Sequence, residues 1–100
     1  MPSAISTVTL QELSALTQPN HHVIDIRSPL EYGSGHFKNA VNIPYDVLMT
    51  YPDSYLKKGE YYYLVCAHGA LSYRASIILQ SFGYHVASVR NGYEMRYCYC

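Results

Sequence analysis

Residues Val65 to Ala75 read V-C-A-H-G-A-L-S-Y-R-A, and the order of residue types in this stretch decides the fold. The β-favouring run Tyr61-Tyr62-Tyr63-Leu64-Val65 leads into Cys66. Such an unbroken run fits a strand in a sheet covered on both faces. The loop Ala67-His68-Gly69-Ala70-Leu71 follows, with small residues at three of its five positions, and Ser72 then opens a helical pattern. Small residues let successive backbone amides converge on one point. The thiol therefore stands at the C-terminal edge of a strand, facing a helix start, where unpaired amides and partial positive charge favour anions. The same field favours the thiolate, the nucleophilic form of cysteine. A buried, inert cysteine is the bland alternative, because free cysteine is often fully buried. Strand, cysteine, glycine loop and helix in this order point instead to thiolate chemistry on an anionic or sulfur-bearing substrate.

Working outward, the chain alternates strands and helices. Residues 5–8 are β-prone. Thr9 and Glu12 form a capping box, Leu10, Leu13 and Leu16 mark one helical face, and the helix ends near Pro19-Asn20. Residues 23–26 form a strand with Asp25 near its end. Ser28-Pro29 starts a turn or short helix through Tyr32, which Gly33 and Gly35 break. Residues 40–43 read as a strand closed by Pro44, residues 45–50 as a brief helix, and residues 51–59 as mixed helix and turn. The strongest helix covers residues 72–82, with Ala75, Ile78, Leu79 and Phe82 at i, i+3, i+4 and i+7 and Gly83 as its C′ residue. Residues 84–89 are the last strand, and Asn91-Gly92 is a turn. This alternation predicts a mostly parallel sheet with helices on both faces. Ligands in that architecture bind beyond the C-terminal strand ends, where Cys66 lies.

The bulk numbers exclude several classes. One hundred residues make a single domain, 1–100, with its core at about 5–96 and a short tail at 97–100. Seven basic side chains balance seven acidic ones, which argues against a nucleic-acid or anionic-membrane surface. No apolar run approaches the roughly 20 residues of a membrane span, and no basic region with a hydrophobic core opens the chain, so the cytoplasm is the expected location. Three cysteines, an odd number, speak against a closed disulfide framework.

Taken in order, V-I-D-I-R ending at Arg27, Glu31-Tyr32, the run Gly35-His36-Phe37-Lys38-Asn39-Ala40-Val41-Asn42-Ile43-Pro44, Cys66 with its loop to Leu71, Ser72, Gly83-Tyr84 and Asn91-Gly92 resemble the rhodanese family, specifically its single-domain thiosulfate sulfurtransferases. The resemblance runs from about residue 5 to residue 96. It implies a three-layer α/β/α domain with a mostly parallel central sheet. It also implies that Cys66 is the catalytic residue, taking sulfane sulfur from thiosulfate or a related donor as a persulfide. A thiophilic acceptor (cyanide, a thiol or a protein) then removes the sulfur. The loop Ala67, His68, Gly69, Ala70, Leu71 and Ser72 would hold the persulfide's charge, while Asp25, Arg27, Glu31 and His36 support the site. No cofactor, nucleic acid or membrane enters this reading.

One departure stands out. Many family members carry arginine at the loop's sixth position, where this chain has Leu71. The loss removes a fixed charge for gripping the donor's sulfonate. His68 is the loop's ionisable side chain, and Arg74 lies in the first helical turn, an unfavourable place for a cation, so both are candidate substrate contacts. Asp25 is expected to satisfy nearby loop amides, Arg27 and Glu31 to form structural ion pairs, and His36 to fix its loop by hydrogen bonding. A zinc site would need a tighter ligand set. A cysteine phosphatase or arsenate reductase is a rival, but C-x5-R places its arginine at Ser72. A weakly active or non-catalytic interaction module is the other alternative. Cys98 or Cys100 is a candidate resolving thiol for Cys66.

Overall fold

Aromatic and β-branched residues concentrate in short runs, and these runs become strands. The computed structural model describes residues 6–8, 12 and 21–90. Its strands are β1 (Ser6–Val8), β2 (His21–Asp25), β3 (Val41–Asn42), β4 (Tyr61–Val65) and β5 (His85–Val89). The helices among the described residues are α1 (Pro29–Gly33), α2 (Tyr45–Thr50), α3 (Pro52–Tyr55) and α4 (Ala70–Ser81). All five strands form one sheet in the order β1-β5-β4-β2-β3, with every pairing parallel. The architecture is a three-layer α/β/α domain, as parallel neighbours joined by helical crossovers require. β4 is central, with Leu64 opposite Ile24 of β2 and Ser88 of β5.

Side-chain alternation divides the core between the two sheet faces. Ile24, Ile26, Tyr62, Leu64, Cys66, Tyr84 and Val86 pack with Leu48 of α2 and with Ala75 and Leu79 of α4. Leu48, Leu64 and Leu79 are fully buried, and each such side chain contributes about 2 kcal/mol over its exposed state. A smaller cluster joins Val65 and Val89 to Val8, Val23, Phe37 and Tyr63. Because the strands run the same way, the segments leaving β2 and β4 emerge at one edge of the sheet.

α4 starts at Ala70, before the expected opening at Ser72. Gly69 adopts a left-handed backbone, φ 92°, and serves as the N-cap, a conformation glycine takes without steric cost. The buried stripe also differs from the expected one: Ser72, Ala75, Ser76 and Leu79 point inward, while Phe82 lies past the last turn and is 52% exposed. Serines occupy this face because their hydroxyls find partners, Ser76 donating to the Ser72 carbonyl at 2.8 Å. The expected helix through residues 10–19, the turn at 91–92 and the tail cysteines lie outside the described residues, apart from Glu12. Among the described residues no helix is long and apolar enough to cross a membrane.

Candidate active site

β4 delivers Cys66 to the sheet edge on the same side as Leu64, and Cys66 is 4% exposed. Two backbone amides reach its sulfur: Gly69 N–H donates to Sγ at 3.1 Å and Ser72 N–H at 3.3 Å. Ser72 is the third residue of α4, so its amide has no partner within the helix. Gly69, as N-cap, has no side chain to offer that amide. The cysteine sulfur takes the capping role instead. Two N–H dipoles and a helix N-terminus thus converge on one sulfur, an arrangement suited to negative charge.

A serine pair underlies the loop. Ser72 Oγ donates to the Gly69 carbonyl at 3.1 Å and lies 2.6 Å from Ser88 Oγ on β5. Both serines are buried. Sequence reasoning singled out Ser72 but missed Ser88. Its signal was a lone hydroxyl within the otherwise apolar run Val86-Ala87-Ser88-Val89.

Of the remaining loop residues, Leu71 is half-buried and packs against the main core, while His68 is exposed. Arg74 is exposed on α4. Asp25, at the end of β2, is fully buried and ion-paired with Arg27 at 2.8 Å. Its Oδ1 also accepts the Arg27 N–H and Nε–H, both at 3.0 Å. Arg27 Nη2 donates further to the Gly35 carbonyl at 2.7 Å. Glu31 forms a capping box with Ser28 at the start of α1, while Asp25 is the carboxylate that pairs with Arg27. His36 donates from Nδ1 to the Tyr32 carbonyl at 2.9 Å and stacks on the Tyr32 ring, with centroids 3.7 Å apart. Ile26 N–H donates to the Val65 carbonyl at 2.9 Å, so the braced turn after β2 lies beside the residue preceding Cys66. No group of three or more metal-ligating side chains occurs among the described residues.

The family model of the rhodanese-like domain matches residues 9–95. The chain belongs to this family. The rhodanese-like domain is 30% identical over 102 residues to the Arabidopsis thaliana protein HIGH ARSENIC CONTENT 1, mitochondrial, covering 90% of this chain and 60% of that protein. It therefore spans less than two thirds of that curated relative's length. Among solved structures it resembles a rhodanese-like domain protein from Staphylococcus aureus, with 29% identity, a TM-score of 0.80, and coverage of 90% of this chain and 89% of the other. It also resembles part of reduced CoADR-RHD from Bacillus anthracis, with 29% identity, a TM-score of 0.81, and coverage of 90% of this chain and 16% of that one.

Proposed function

We propose that this rhodanese-like domain is a sulfurtransferase that carries sulfane sulfur on Cys66. The observation that supports it most is the convergence of the Gly69 and Ser72 amides on Sγ at 3.1 and 3.3 Å. The Cys66 thiolate attacks the outer sulfur of thiosulfate, forming a sulfur–sulfur bond. The bond to the sulfonate sulfur breaks, and sulfite leaves with its electron pair. The persulfide's terminal charge is held by amides of the loop at residues 67–72, dipoles already fixed before the reaction. Cyanide or an acceptor thiol then attacks that terminal sulfur and releases Cys66 as thiolate.

A second reading, a binding module with weak turnover, draws on Leu71. That side chain packs on the core and gives the loop no guanidinium for an anionic donor. Phosphatase chemistry is disfavoured because position 72 is a buried serine bonded to Gly69 rather than an arginine facing three phosphoryl oxygens.

Intact-mass spectrometry of fresh, reduced protein treated with thiosulfate and then cyanide tests the proposal. Gain of one sulfur on the native chain, its loss with cyanide, and no gain on Cys66→Ser support transfer through Cys66. Absence of an adduct with both thiosulfate and a small-thiol persulfide overturns it in favour of the binding module.

A further inference from the structure

Ser88 carries a hydroxyl into an apolar strand, where it is 1% exposed. A hydroxyl at that depth costs free energy unless paired. Its partners are Ser72 Oγ at 2.6 Å and the Gly69 carbonyl at 3.5 Å. Either serine can donate in the 2.6 Å contact, and both hydroxyls reach the Gly69 carbonyl, so the two serines share one network that ends on Gly69. That network ties Ser88 to Ser72 and Gly69. Those two partners are the residues whose amides donate to Cys66 Sγ.

We propose that Ser88 is a positioning residue for the Cys66 loop, holding the Gly69 and Ser72 amides on the sulfur from β5. Gly69 has the backbone freedom of a glycine at φ 92°, so the turn depends on a tether to keep one conformation. Ser88 supplies it from a rigid frame: its register partner across the β4–β5 ladder is Leu64, two residues before Cys66. The loop's two ends are thereby fixed to adjacent strands. The catalytic consequence rests on Cys66 being the sulfur carrier; the positioning itself does not.

Amide hydrogen exchange and steady-state transfer from thiosulfate to cyanide, measured on Ser88→Ala, Ser88→Val and Ser88→Thr, test the assignment. Threonine keeps the hydroxyl, and valine is its isostere without one. In the alanine and valine variants the Gly69 and Ser72 amides exchange about tenfold faster, while those of Val86 and Val89 change little. Their kcat falls about tenfold with KM nearly unchanged, since the loss falls on stabilisation of the transferring sulfur rather than on donor binding. Threonine restores both. Unchanged exchange at Gly69 and Ser72, or unchanged kcat, in a folded variant lacking the hydroxyl overturns the positioning role. Should the alanine variant fail to fold, the valine–threonine comparison decides the same question. Wild-type protein without sulfur transfer removes the sulfurtransferase reading, while the exchange measurement still decides whether Ser88 holds the loop.

Discussion

The Cys66 sulfur caps α4 through Ser72, whose N–H lies 3.3 Å from Sγ. The proposed nucleophile is therefore also a structural acceptor, and the two roles separate by substitution. Cys66→Ala leaves the Gly69 and Ser72 amides without their sulfur acceptor and should lower stability by about 1–2 kcal/mol. Cys66→Ser keeps an oxygen acceptor and should fall between alanine and wild type. Urea unfolding monitored by circular dichroism gives the order directly. An alanine variant as stable as wild type contradicts the capping role.

Asp25 and Arg27 form a deeply buried ion pair, with side chains 0% and 11% exposed. Removing the carboxylate takes both Oδ acceptors away from the Arg27 guanidinium. Asp25→Ala should cost about 3 kcal/mol, because it breaks a buried ion pair together with its hydrogen bonds. Asp25→Ala combined with Arg27→Ala should cost less than the sum of the single losses. Urea midpoints of the four proteins close the cycle, and strict additivity would refute the coupling.

How much of this was legible in the sequence follows the range of the forces involved. Tyr61–Val65, the capped turn at Ser28 and the positions of Asp25 and Cys66 at strand ends arise from local patterning and appear where sequence reading places them. The start of α4 was not legible, because it depends on the φ of Gly69 and on Cys66 Sγ accepting from Ser72, a contact spanning the loop. The buried face of α4 was misread for a related reason. Ser72 and Ser76 look solvent-facing in a helical pattern, yet Ser72 pairs with Ser88, sixteen residues away, and Ser76 with a backbone carbonyl. Ser88 itself passes for an ordinary strand residue until the β4–β5 register sets it beside the loop.

Burial, then the neighbouring Tyr61, raises the Tyr63 phenol above the ordinary tyrosine value of 10.0. Its hydroxyl also lies 2.6 Å from His21 Nδ1. A group raised in the folded state contributes stability that is fully present below its unfolded value and is lost as pH climbs through the folded one. The unfolded phenol gives up its proton first, so the urea midpoint should fall as pH rises above 10. Tyr63→Phe should make that alkaline decline shallower. Identical slopes for the two proteins would remove Tyr63 as a contributor.

Leu71 sets the last prediction, because it is both a core contact and an uncharged residue in the first turn of α4, five residues after Cys66. Its half-buried side chain packs against the main cluster, so Leu71→Arg should lower stability by about 1 kcal/mol. The guanidinium should also bring a fixed, planar set of donors to an anionic sulfur donor, lowering the thiosulfate KM about fivefold. The effect is electrostatic and should shrink in about 1 M salt, where the screening length falls to about 3 Å. His68→Ala should move KM the other way if the exposed loop histidine meets the donor. Steady-state assays with thiosulfate and cyanide at low and high salt measure both changes. A KM unmoved by either substitution means that the donor's sulfonate is not bound at this loop, and that thiosulfate stands in for a donor recognised through other groups.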